Sequence, residues 1–425
     1  MSLRQRALNR IRRSLADENL PLRLAFWDGE TFDFSPAPTV TLTLRSPSLI
    51  RDFATGRMTR LADAYVRGDL GVDGPIEDIL AAGIRLAERI GRASSLVKFV
   101  SGLGRLRPRG RKTDAENIRR HYDVSNDFYA LWLDRTMTYS CAYFQRGDEG
   151  IDEAQAQKLE HICRKLRLEP GLRLLDIGCG WGGLLSYAVG SYKVAGVGIT
   201  NSAAQYEYLR SRRAGAPGLE FRLQDYRDLA GGASFDRIVS VGMYEHVGLK
   251  RLQEYFSLIA GLLRPGGVLL NHGIVIADPK GPRAIPGGDF IDRHVFPGGE
   301  LPHLSQVLKE IASSGLEVVD VEDLRPHYAR TLALWSERLE ARREEAAALA
   351  GPERYRIWRV YLPGMALAFD SGWLSVAQVV AYKPSGGRPA ARPWTRAHQY
   401  LNEPPVLATG LAWNNHTKSL QLERQ

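Results

Sequence analysis

The period of the hydrophobic positions changes along this 425-residue chain. Residues 39–44 alternate as a half-buried strand does, while 50–67 and 76–90 repeat at helical spacing, interrupted at Gly68-Asp69-Leu70-Gly71. Residues 102–112 are too rich in glycine, proline and charge to pack as an element, and they mark a linker. Beyond a predicted helix at 153–168, apolar runs at 172–177, 194–199, 219–223, 237–241 and 267–271 alternate with helical stretches. Such alternation predicts a parallel sheet covered on both faces. Two more strands at 316–321 and 376–381, with long helices at 329–349 and 352–369 between them, bring the count to seven. No period is sustained past Pro384. The expected organisation is therefore a small N-terminal α+β domain over 1–104, a linker over 105–116, an α/β domain over 117–384 and a tail over 385–425.

Composition narrows the class. With 44% hydrophobic and 25% charged residues the chain is globular in character, and no apolar run is long enough to span a membrane. Three cysteines, Cys141, Cys163 and Cys179, share no ligand or disulfide spacing, which argues against a zinc site and fits a reducing, cytoplasmic setting. The net charge of +9 is uneven, because residues 1–120 hold 22 Lys and Arg against 14 Asp and Glu. A solvated basic face, nucleic acid and anionic lipid are the candidate explanations. Leu3, Leu8, Ile11 and Leu15 recur among arginines at near-helical spacing, so a basic amphipathic helix on an anionic membrane surface is favoured over nucleic acid.

Residues 174–183, Leu-Leu-Asp-Ile-Gly-Cys-Gly-Trp-Gly-Gly, carry the first candidate chemistry. Gly178, Gly180 and Gly182 allow a sharp turn and a close approach of backbone to ligand, as dinucleotide enzymes also require. Asp176 ahead of the glycines tilts the choice, because the D-x-G-x-G form resembles the first motif of S-adenosylmethionine-dependent methyltransferases. That resemblance implies a seven-stranded, Rossmann-like class I methyltransferase sheet.

Further blocks follow in order between Asn117 and Lys383: His121-Tyr122-Asp123, Tyr139-Ser140-Cys141-Ala142-Tyr143, Gln224-Asp225-Tyr226-Arg227-Asp228, Val241-Gly242-Met243-Tyr244-Glu245-His246-Val247-Gly248, Phe296-Pro297-Gly298-Gly299 and Pro326-His327-Tyr328-Ala329-Arg330-Thr331-Leu332. Together they resemble the cyclopropane fatty acid synthase family, which includes the mycolic acid cyclopropane synthases. The basic N-terminal domain is similar to the extension of members that act on membrane phospholipid. For the cofactor, the resemblance implies that Tyr139 and Ser140 close over S-adenosylmethionine and that Asp176, Gly178, Gly180 and Gly182 hold its amino-acid part. Thr200 and Gln205 would line the ribose side, and Gln224 and Asp225 would hold the adenine.

The implied reaction adds a methylene to a cis double bond of an unsaturated acyl chain in phospholipid. Methyl transfer to an alkene leaves a carbocation, and ring closure then needs a base. By resemblance that base is a bicarbonate ion, held by Glu245, His272 and Tyr328 and by the backbones of Cys141 and Ile274, with Tyr139, Tyr244 and Phe290 as aromatic faces near the cation. A sister activity giving methylene- or methyl-branched chains shares every earlier step. Departures from the family pattern sit at Met365, Asp370, Asn271 and Gly273, near the acyl channel. The implied setting is the inner face of a membrane, peripherally bound, and a homodimer is compatible with it.

Overall fold

The computed structural model describes residues 20–85 except 56, 77, 80 and 84, and residues 125–400 except 214, 230–233, 280–287, 297–298 and 386–391. The expected N-terminal amphipathic helix, the linker, His121-Tyr122-Asp123, Pro297-Gly298 and residues 401–425 lie outside the described residues.

The first sheet contains β1 (Leu22–Phe26), β2 (Thr31–Asp33), β3 (Val40–Leu44) and β4 (Leu70–Asp73) in the order β2-β1-β3-β4, with β1 and β3 parallel. Helices α1 (Pro47–Ala54) and α2 (Met58–Arg67) join β3 to β4, and Leu22, Leu24, Phe53, Leu61 and Tyr65 pack in one core. Two expectations change here. The helix expected over 50–67 is two helices, the first capped by the Ser46 hydroxyl and ended at Thr55. Residues read as a helix break supply a strand instead: Gly68, at φ 89°, ends α2 and β4 pairs with β3 at once. Four residues are too few for a period of two to stand out.

The second sheet follows a short helix, α3 (Asn126–Ala130), and α4 (Ile151–Lys165). Its first half is β5 (Arg173–Ile177), α5 (Gly183–Tyr192), β6 (Ala195–Thr200), α6 (Ala203–Arg213) and β7 (Leu219–Leu223). The second half is β8 (Phe235–Val241), α7 (Leu252–Leu262), β9 (Leu263–Ile276), α8 (Gly288–His294), α9 (Leu304–Ser313) and β10 (Glu317–Asp323). Helices α10 (Arg325–Ala341), α11 (Arg343–Ala350) and α12 (Pro352–Asp370) precede the last strand, β11 (Leu374–Tyr382). The strand order is β10-β11-β9-β8-β5-β6-β7.

All seven expected strands are present, but the sheet is mixed: β11 runs antiparallel to both β9 and β10. One long helix expected over 329–349 is broken at Arg342, which takes a non-helical ψ of 32°. Within the expected tail, residues 392–400 pack back on the fold, with the Gln399 carbonyl 3.2 Å from His161 Nδ1 and Arg396 paired to Asp320. The two sheets meet through α12, whose Arg356 and Arg359 donate to the carbonyls of Val66 and Val72. The order in which strands are added reverses between the parallel β5 and β8, so the crevice at their carboxyl ends is where an open α/β sheet takes its ligand.

Candidate active site

β5 is central and apolar, which buries Asp176 at its end to 2% exposure. The chain then turns through Gly178, Gly180 and Gly182, all at positive φ. Ile199 of the neighbouring strand anchors the turn by accepting from the backbone N–H groups of Gly178 and Cys179, each at 3.0 Å, and Trp181 donates to Asn126 at 2.8 Å. The glycines serve different ends. A Cβ on Gly180 would meet nothing within 4 Å, so this residue faces open space. On Gly182 it would stand 2.7 Å from Leu209 and 2.8 Å from Phe221, so this glycine lets α5 pack closely and is not on the cleft wall.

The turn forms one wall of a cleft of about 980 Å³, solvent at its mouth included, ample for a nucleoside joined to an amino acid. Tyr139, Ser140, Asp176, Gly178, Gly180, Thr200, Gln205 and Gln224 line it. Thr200 donates to Gln205 at 2.7 Å, which fixes both side chains. Asp225 stands behind the wall: its carboxylate accepts from Arg227 at 2.6 Å and from Asn201 at 3.1 Å, and Asn201 is the residue that reaches the cleft. Burial opposes ionisation of Asp225, but the Arg227 hydrogen bonds outweigh it and hold the carboxyl below the usual range.

Lys158, which sequence reasoning passed over, also lines the cleft. Its ammonium donates to the Ser140 hydroxyl at 2.9 Å and is 1% exposed, and Gln155 one turn earlier donates to the Ser140 carbonyl at 2.8 Å. Burial pushes Lys158 down to about 8 and Asp176 up to about 7, and each partly offsets the other's shift by its charge. A signal was present in the sequence, because Ala154, Lys158 and Ile162 share one helical stripe and a lysine among apolar neighbours needs a partner.

A second group of expected residues gathers where β9 outruns β8. The Ile274 N–H donates to Glu245 Oε1 at 2.8 Å, while Glu245 Oε2 is buried with no hydrogen-bond partner among the described residues. Burial pushes this carboxyl up to about 7. Cys141, Ile274 and Tyr328 pack in one cluster with Phe290, and the Cys141 thiol lies 3.8 Å from the Leu324 carbonyl, at the start of the helix bearing Tyr328. Burial raises that thiol far above its ordinary value, so it stays protonated. Tyr244 is placed in the core beneath β9 and does not line the cleft. Met365 is buried in the Cys141 cluster.

His272 sits at the β8–β9 ladder's end, with Nδ1 3.2 Å from Gln378 Nε2. Burial, then the nearby charges of Lys158 and Lys165, lower it to about 3, so the ring is neutral at any working pH. Because the unfolded ring titrates near 6.5, the unfolded state binds more protons between the two values. The stability His272 contributes is thus complete above pH 6.5 and lost as pH falls toward 3, by roughly 2 kcal/mol at pH 5. Between pH 7 and pH 5, His272→Gln should lose about 4–8 °C less in Tm than the unmodified chain. Equal acid shifts in both melting curves would show that the ring is not kept neutral.

The strand order with its reversed seventh strand, and the glycine turn opening on a cleft at the switch point, define a class I S-adenosylmethionine-dependent methyltransferase. The chain belongs to the mycolic acid cyclopropane synthetase family, whose model matches residues 109–379, while residues 13–95 match a domain of unknown function (DUF7884). It is 46% identical over 392 residues to a "Probable fatty acid methyltransferase" of Pseudomonas putida, covering 91% of this chain and 98% of that one. "Cyclopropane mycolic acid synthase 1" of Mycobacterium tuberculosis is 41% identical over 280 residues, 63% of this chain and 96% of that one. Among solved structures, mycolic acid cyclopropane synthase CmaA1 complexed with SAH and CTAB superposes with a TM-score of 0.60 at 39% identity, covering 63% of this chain and 98% of that one.

Proposed function

We propose that the protein transfers a methylene from S-adenosylmethionine to the cis double bond of unsaturated fatty acyl chains in membrane phospholipid, forming a cyclopropane ring with bound bicarbonate as base. The observation that carries this reading is the orphaned Glu245 Oε2, a buried acceptor beside the Ile274 backbone that has no partner among the described residues. A hydrogen-bonding anion with a proton of its own fits it, since that proton can be donated to the free Glu245 oxygen. Bound there, bicarbonate would supply a base that is not itself a fixed carboxylate open to alkylation.

The chain's own residues would do the remaining work. Lys158 and Gln155 hold Ser140 over the cleft, and the lid carrying Tyr139 excludes water from the reacting carbon. Tyr139 packs 5.5 Å from Trp132 and 5.3 Å from Trp335, ring centroid to ring centroid, which holds its ring as an aromatic face for the cation. Each face contributes about 0.5–2 kcal/mol when desolvated. The sister reading, a methylene- or methyl-branched product, is compatible with the name of the 46% identical relative, a fatty acid methyltransferase. Incubation with an oleoyl phospholipid and cofactor, followed by proton NMR of the fatty acid esters, tests both. Ring methylene protons support the first reading, exomethylene signals support the second, and no transfer sinks both.

Membrane recruitment by the basic N-terminal region belongs to the same proposal. No helix among the described residues is long and apolar enough to cross a membrane. Binding to anionic vesicles should therefore fall steeply with salt and disappear on deletion of residues 1–112, as each surface-bound basic residue contributes about 1 kcal/mol. Undiminished vesicle binding by the truncated chain would make the basic excess a solvated face.

A further inference from the structure

The ladder between β8 and β9 stops at Val241 and His272, and the chain of β8 leaves through a 3₁₀ turn at Tyr244–His246. Two residues further along β9, the backbone of Ile274 faces the space that β8 has vacated. Two consecutive side chains complete the ladder there. Glu245 accepts from the Ile274 N–H at 2.8 Å, and the Tyr244 hydroxyl donates to the Ile274 carbonyl at 2.8 Å.

Tyr244 reaches that carbonyl only because residue 273 is glycine. A Cβ on Gly273 would lie 2.3 Å from Tyr244 Cζ, 2.4 Å from Cε1 and 2.7 Å from the hydroxyl. The contact is with the body of a ring that is 2% exposed, so it has no room to withdraw. Burial drives the phenol far above its ordinary value, which keeps it a donor. The departure from the family pattern at Gly273 is therefore half of a pair.

We infer that Tyr244 is a positioning residue for the reaction: by pinning the Ile274 carbonyl it fixes the Ile274 peptide, and through the Ile274 N–H it fixes the Glu245 carboxylate with its free oxygen turned in one direction. Gly273 is the residue that admits it. The inference rests on the proposed role of Glu245 in the step that follows methyl transfer. It makes the Tyr244–Gly273 pair a determinant of how cleanly the cation resolves to one product, because a carboxylate free to rotate would hold the base against more than one proton.

The test uses the full chain, radiolabelled S-adenosylmethionine and an oleoyl phospholipid. Tyr244→Phe should bind S-adenosylhomocysteine within about twofold of the unmodified chain in calorimetry. Its turnover should fall about tenfold, the scale of one lost hydrogen bond, and its product should broaden to a mixture. Gly273→Ala, which displaces the ring, should behave likewise. Tyr244→Leu and Tyr244→Leu/Gly273→Ala should be equally impaired, since without the ring a methyl at 273 has nothing to strike. If Tyr244→Phe turns over at the unmodified rate with the unmodified product ratio, the inference is overturned while the activity stands. Loss of cofactor binding in step with turnover would reduce Tyr244 to a structural residue and overturn it too. A lack of label transfer by the unmodified chain would remove the proposed activity, and the inference with it.

Discussion

Glu245→Gln is expected to leave S-adenosylhomocysteine binding intact and to lower turnover roughly 10²-fold, the lower end of what a positioned acid or base supplies. Glutamine keeps the oxygen that accepts from the Ile274 N–H at 2.8 Å, so β9 retains its ladder bond. What changes is the second position, where a buried acceptor without a partner among the described residues becomes an NH₂ donor. Glu245 is not among the residues lining the cofactor cleft, so affinity there should hold. Stability should not fall, because a neutral amide is easier to bury than a carboxyl whose ionised form burial already penalises. Calorimetry and label transfer on the same preparation check both halves. A folded Glu245→Gln protein that no longer binds cofactor would move this residue out of the product-forming step and into the cofactor site.

Lys158→Met should cost about 3–5 kcal/mol of stability, the scale of removing one partner from a buried charged group. A loss of 3 kcal/mol corresponds to a fall of roughly 6–12 °C in Tm. Methionine preserves the volume on the inner face of α4 but removes the cation that lowers both Asp134 and Asp176 electrostatically. Asp176, already pushed up to about 7 by burial, would then be driven further toward its protonated form, and Asp134 would shift in the same direction. The second effect is on the lid: Ser140 loses the ammonium that holds its hydroxyl at 2.9 Å, so cofactor affinity should fall as well. Lys158→Arg would not rescue, because a guanidinium is too large for a site 1% exposed. Thermal melts with and without S-adenosylhomocysteine separate the two effects. A Lys158→Met chain with unchanged Tm and unchanged ligand-induced stabilisation would mean that the buried acids need no counter-charge.

Period and punctuation were enough to locate the seven strands of the second sheet, because each carries its own hydrophobic signal and needs no distant residue to be recognised. The Asp176–Gly182 turn was legible for the same reason: its chemistry is written in consecutive residues. Short strands were not legible, and β4 went unseen because four residues gain strand character only from pairing with β3. Nor could period reveal that β11 enters the sheet reversed, since direction belongs to the connection and not to the strand. The site shows the same division. The family resemblance implied Glu245, Ile274 and most of the cleft-lining site residues, but only the fold brought a lysine from α4 under Ser140, placed Asp225 behind Asn201, and set the Tyr244 ring where a side chain at 273 would otherwise stand. These contacts join elements whose spacing along the chain carries no trace of their meeting. What decides them is close packing in three dimensions, where one absent Cβ opens the path by which a hydroxyl reaches a carbonyl.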